Sequence, residues 1–159
     1  MMDIDLDFSF NASATVYGSR AIKLDPTTEG AALLGSKNAP CIGVTPQQSE
    51  MPPGQIGSGS TPFVLAQAQG TSFAPGGQGE SAFPVYGEAR RCLIDIDPNF
   101  GGQIKPGDLI VSSDSGYGTK ATPTGPWNQW IIGIALTFAN SGQSCLIKVT
   151  IFPWSPTGS

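Results

Sequence analysis

Glycine and proline cut this chain so finely that little room is left for helix. Its 159 residues include 21 glycines and 14 prolines, both above the usual share, and each ends or weakens a helix where it falls. The longest proline-free run with helical character is residues 29–37, and Gly30 and Gly35 weaken even that. Residues 27–37 are therefore expected to form a loop or a single helical turn. Between the breakers lie short, β-branched runs: Leu109, Ile110 and Val111, then Ile131, Ile132, Gly133 and Ile134, then Cys145, Leu146, Ile147, Lys148 and Val149. Apolar runs of this length bounded by Pro, Gly, Asn and Ser are strands joined by turns.

The same pattern extends towards the N-terminus. From Met2 to Tyr17, Ile4, Leu6, Phe8 and Phe10 alternate with Asp3, Asp5, Asp7 and Ser9, a period of two that gives an extended segment one apolar face. That face belongs either to an ordinary edge strand or to an arm that docks on another molecule. Ala21, Ile22, Lys23 and Leu24 form a short strand stopped by Asp25 and Pro26. Residues 39–45 form another, with Gly43 placed where a side chain would crowd a neighbour or where a bulge is needed. In residues 91–97, Cys92, Ile94 and Ile96 share one face and Arg91, Leu93, Asp95 and Asp97 the other, as in a half-buried antiparallel strand. Cys145 to Val149 echoes Cys92 to Ile96, and Cys41 to Val44 echoes Ile131 to Ile134, but the unequal spacings of the two echoes exclude a tandem repeat.

Residues 46–84 differ in character. Pro52, Pro53 and Gly54, the Gly57 to Ser60 run and the Ala74 to Gly79 run crowd it with breakers, and Glu50 and Glu80 are its only charges. A plain linker would not carry Phe63, Val64 and Leu65. The expectation is a loop-rich insertion with one or two short strands, lying on a surface that something else covers. The whole is therefore expected to be all-β, a small β-barrel or β-sandwich. Residues 1–19 form the extended N-terminal arm, and residues 20–159 a single domain carrying the insertion.

Composition bounds the chemistry. Eight Lys and Arg against 12 Asp and Glu, for a formal net charge of -4, with no basic stripe, argue against nucleic acid as a partner. No apolar stretch approaches the roughly 18 residues of a membrane span, so no membrane partner is expected. The acidic, alternating start is unlike a signal peptide. No histidine is present, which removes the usual general base, the His-dependent triads and the ordinary zinc sites. No catalytic residue, cofactor or metal ligand is assigned. Cys41, Cys92 and Cys145 each lie inside an apolar run without a CxxC, and are expected to be buried free thiols.

The remaining polar constellations have structural explanations. Asp95 and Asp97, two apart on a strand, would suit a cation or a carboxylate pair, yet a solvated strand face explains them better. Lys105, Pro106, Gly107 and Asp108 match a type II turn closed by the Asp108 side chain. Ser115, Gly116, Tyr117 and Gly118 lack the spacing of a phosphate loop, and although Ser113 or Ser115 with Lys120 could supply a Ser-Lys dyad, a hairpin turn is the better reading of the segment. Trp127, on the turn Gly125, Pro126, Trp127 and Asn128, is the best candidate for an exposed aromatic, and Trp130 for a core one.

Taken in order, these elements resemble a family. The acidic-apolar start, the Ala-Ile-Lys-Leu strand, the Ile-Gly-Val strand, the turn Ile-Lys-Pro-Gly-Asp-Leu-Ile-Val-Ser-Ser-Asp-Ser-Gly and the Ile-Ile-Gly-Ile-Ala-Leu strand resemble the small capsid decoration, or cement, proteins of tailed bacteriophages. The resemblance covers about residues 21–44 and 90–151 and leaves out residues 46–84. It implies a β-rich, non-enzymatic protein of the virion, made in the host cytoplasm. It further implies a homotrimer on the outer surface of the capsid that stabilises the head by bridging major capsid proteins. The interface residues expected are Ile4, Leu6, Phe8 and Phe10 on the arm, with Phe63, Phe73 and Trp127. A carbohydrate- or receptor-binding β-module of a phage head or tail fibre is the alternative, motivated by Trp127 and Tyr117 on turns.

Overall fold

The computed structural model describes residues 7–12, 14, 16–46, 72–73, 82–122 and 129–154. Its first half supplies β1 (Asp7–Ala12), β2 (Val16–Tyr17), β3 (Ala21–Leu24), β4 (Ala31–Leu34), β5 (Gly43–Val44), β6 (Ser72–Phe73) and β7 (Ala82–Tyr86). The second half supplies β8 (Arg91–Asp95), β9 (Gln103–Ile104), β10 (Leu109–Ser112), β11 (Gly118–Lys120), β12 (Gln129–Ala135), β13 (Ala139–Asn140) and β14 (Ser144–Trp154). The protein is all-β.

Five strands of the first half pair in a circuit, β1-β4-β3-β5-β7, that returns to β1. The joint between β5 and β7 is a single pair, Val44 with Tyr86, and Tyr86 also faces Asp7 of β1. A sheet closed on itself leaves no edge for stray pairing. Its interior is narrow and takes small side chains: Ala12, Val16, Ile22, Ala32 and Val85, with Phe10, Leu34 and Ile42 packed against them.

The second half forms an antiparallel sheet in the order β11-β10-β12-β14-β8. Cys92, Ile94 and Ile96 are fully buried, so the alternation read from the sequence holds. The look-alike runs lie side by side, Cys145 opposite Ile94 and Ile147 opposite Cys92. Beyond Arg91, β14 outruns β8, yet little of that edge can donate to a stray strand. The Ile151 N–H is taken by the Glu88 carboxylate at 2.8 Å, and Pro153 has no N–H to offer.

One core joins the circuit to the sheet. Ala21, Cys41, Val44 and Tyr86 pack with Ile94, Ile110, Ile132, Ile147 and Val149. Backbone bonds cross the same boundary, from Asp95 N–H to Ser19 O at 2.8 Å, Gly116 N–H to Gly35 O at 2.8 Å and Asn38 N–H to Ser112 O at 3.0 Å. A smaller cluster of Val111, Ala121 and Ile131 with Leu109, Phe152 and Trp154 occupies the other face of the sheet.

Two sequence expectations need correction. Residues 27–37 contain strand β4, not a loop or helical turn. The Asp25 carboxylate accepts from the Thr27 N–H and hydroxyl, Gly30 takes φ +74°, and the chain folds back so that Leu24 meets Ala32. Alanine's helical preference gives way because small side chains are what the narrow interior admits. The strand expected over residues 39–45 contracts to Gly43–Val44. Within the arm expected over residues 1–19, Asp7–Ala12 pairs with β7 and β4 as part of the circuit, and residues 1–6 lie outside the described residues. Of the apolar side chains on that segment, Phe10 packs on the circuit's interior. Within the expected insertion, residues 72–73 pair with β2 and residues 82–84 begin β7. Residues 47–71 and 74–81 lie outside the described residues.

Candidate functional site

The polar residues singled out in the sequence converge where the loops after β8 and β10 meet the loop after β4. The turn after β10 is a single 3-10 turn, Asp114–Gly116. Ser115 there has φ 59° and Gly116 φ +73°, and a Cβ on Gly116 would lie 2.5 Å from Ala21 O. The glycine is therefore needed for a close backbone approach to β3. The turn holds no phosphate-loop geometry; it receives Arg20 of the same chain. The Arg20 guanidinium stacks 3.5 Å from the Tyr117 ring centre and donates to Ser115 O at 3.2 Å. Its Nε lies 3.6 Å from Asp95 Oδ2, an ionic approach too long for a hydrogen bond.

This arrangement decides the other candidates. Asp95 also accepts from Ser144 Oγ at 2.8 Å. Asp97 accepts from the Ser113 hydroxyl and from the Asn99 N–H at 2.8 Å. Asp108 accepts from the Lys105 N–H at 2.8 Å and pairs with Lys120 at 3.0 Å, while Gly107 takes φ +91°, as the type II turn requires. Ser113 and Lys120 are thus engaged by different carboxylates and do not form a dyad. Tyr117, offered as a sugar platform, has one face occupied by Arg20.

Beside these pairs opens a cleft of about 500 Å³ lined by residues from several loops and strands, among them Lys37, Asn38, Asn99, Phe100, Asp114 and Thr119. Its walls are pinned: Asn38 N–H to Ser112 O, Ser113 to Asp97, and Asn99 to Asp97. The Gln129 amide bonds the backbone of Thr122 in both directions, at 3.0 and 2.8 Å. Among the described residues, no hydrogen-bond or ion-pair partner engages the side chains of Lys37, Asn38, Asn99 or Asp114.

The interface candidates fare differently. Phe10 is half-buried and packs against the circuit's interior. Phe8 pairs with Val85 and Phe73 with Val16 through their backbones. Ile4, Leu6, Phe63 and Trp127 lie outside the described residues. Sequence reasoning missed the exposed apolar side chains Phe138 (64% exposed), Leu24 (50%), Tyr17 (45%) and Leu136 (38%). Leu136 and Phe138 lie two residues apart just past β12, where the largely buried run ends. An aromatic placed beyond the end of a strand pattern was the available signal.

All three thiols are buried and free, as expected. Burial pushes Cys41 up to about 11, against smaller lowering contributions from its bond to Ser112 and from Lys23. Burial likewise raises Cys145, with lowering bonds to Thr137. Neither thiol is activated.

No family model and no curated protein matches the chain. Among solved structures, the chain is similar to the N base of the head fiber protein gp8.5 of bacteriophage phi29. The TM-score is 0.55 and the identity 15%, over 91% of this chain and 92% of that one. At that identity the likeness is one of fold, and it runs nearly end to end through both chains.

Proposed function

We propose that this chain is a structural protein of a bacteriophage head. It is a non-enzymatic decoration (cement) protein that binds the outer surface of the shell as a homotrimer and bridges major capsid proteins. The observation that carries this reading is the fold shared with a head fiber base over 91% of the chain. It agrees with the resemblance to decoration proteins in the order of the strand and turn motifs. The polar groups that might have suggested catalysis are engaged in holding loops together. Leu136 and Phe138 offer an apolar contact next to a rigid sheet, and a trimer multiplies weak contacts of this kind. The Glu88 and Pro153 edge favours association through side chains over strand addition at β14. A second reading, the base of a head fibre, is favoured by the description of the fold neighbour.

Purified chain mixed with parent heads that lack it tests the proposal. The reading expects saturable co-sedimentation and heads that resist heat better. Light scattering should give a trimer mass of about 50 kDa from a 16.5 kDa chain. Heads that neither bind the chain nor gain stability would overturn the decoration reading. Binding at a few sites per head, each extending into a fibre, would favour the fibre base.

A further inference from the structure

We infer that the cleft between the loops after β4, β8 and β10 is a binding site for a neutral saccharide. The inference stands apart from the head reading, since it rests on the cleft alone. At about 500 Å³ the cleft is of the size that takes small ligands. Its walls carry charges of both signs. Lys120 is paired with Asp108, the Asp97 carboxylate is occupied by two neutral donors, and Lys37 and Asp114 remain as one unengaged cation and one unengaged anion. A phosphate or sulfate group would meet Asp114, and a metal ion or polyamine would meet Lys37. A hydroxyl-rich neutral ligand satisfies both.

The unengaged groups have the chemistry that sugar hydroxyls require. A carboxylate accepts, an ammonium donates, and the amides of Asn38 and Asn99 do both in a plane. Phe100 adds an apolar ring, half-buried and packed against the main core, on which the C–H face of a pyranose can rest. Gly102 leaves that ring its place, since a Cβ there would lie 3.0 Å from the ring tip. These groups are also held in advance of any ligand. Asn38 has φ 56° and is tied to Ser112 across the junction of circuit and sheet, while Asn99 is tied to Asp97. Binding therefore costs little ordering of the loops.

The test is amide NMR of the ¹⁵N-labelled full chain, titrated with neutral tetrasaccharides of glucose, galactose, mannose and N-acetylglucosamine, and with a sulfated tetrasaccharide. The expected result is saturable shifts at Lys37, Asn38, Asn99 and Asp114 with at least one neutral sugar. Affinity should fall about tenfold in Asn99→Ala and in Asp114→Ala, the loss of one good polar contact. Both residues are exposed, so their unfolding midpoints should match the parent protein. No saturable shift with any neutral sugar would overturn the inference, as would shifts undiminished in both variants or binding of the sulfated sugar alone. Head binding by the same variants keeps this outcome separate from the function proposed above.

Discussion

Replacing Gly43 by alanine tests the closure of the circuit at its narrowest point. A Cβ at this position would lie 2.2 Å from Tyr86 O and 2.6 Å from Val85 Cγ1, both well inside van der Waals contact. Two of its close neighbours are backbone atoms of Tyr86, so a side-chain rotation cannot relieve the clash. The strands must separate, and among the described residues the pair that joins β5 to β7 is the adjacent Val44 and Tyr86. Overpacking of a tight interior costs about 1–3 kcal/mol, occasionally more, and the backbone obstacle places Gly43→Ala at the upper end. For a chain of this size about 3 kcal/mol lowers the midpoint by roughly 6–12 °C. The control is Gly101→Ala, where nothing lies within 4 Å and φ is not positive. That change should be neutral or stabilise by up to about 1 kcal/mol through the unfolded chain. Thermal unfolding followed by circular dichroism gives both numbers. If Gly43→Ala melts within about 1 °C of Gly101→Ala, the close approach of β5 to β7 is not what holds the circuit shut.

Other consequences follow from the same contacts. Because burial raises the Cys41 thiol from 9.0 to about 11, the folded state holds its proton more tightly than the unfolded chain. Its contribution is intact below pH 9, declines between about pH 9 and 11 at up to about 1.4 kcal/mol per unit, and is level above that. Urea titrations across this window should show a shallower decline in Cys41→Ala, and identical declines would contradict the buried thiol. Arg20→Ala removes the stack on Tyr117, the bond to Ser115 O and the ionic partner of Asp95. It should cost about 2–3 kcal/mol, and a loss below about 0.5 kcal/mol in urea unfolding would show the junction to be incidental. Phe138→Ser combined with Leu136→Ser should leave stability within about 0.5 kcal/mol while weakening co-sedimentation with heads at least tenfold. Unchanged head binding would remove this pair from the interface.

The sequence made the strands of the second half legible because each is a short apolar run between turn formers, and because β8 alternates buried and accessible positions. Cys92, Ile94 and Ile96 could be read as one face from their spacing alone, and Gly43 could be read as a site of crowding. The Lys105 to Asp108 turn was legible for a similar reason, since its chemistry is local: proline, glycine and a carboxylate three residues from the N–H it accepts. The circuit was harder to read. Its strands are short, and Ala31 and Ala32 carry the preference of a helix; only the narrow interior, a tertiary fact, makes them a strand. The N-terminal alternation was visible, but a period of two gives a face without naming its partner; Phe10 finds it in the circuit's interior. The cleft was invisible because residues 37–38, 97–101 and 111–114 meet only through long-range bonds. Each polar residue, seen alone, was a turn former.

The central claim is a place on a phage head, and electron microscopy of the parent particle tests it most directly. The account predicts density on the outer face of the shell into which the five-strand circuit and the neighbouring sheet fit as a threefold group, with Leu136 and Phe138 against a capsid subunit or a neighbouring copy. Density for the same fold in the tail, or a shell whose outer face carries none, would contradict it.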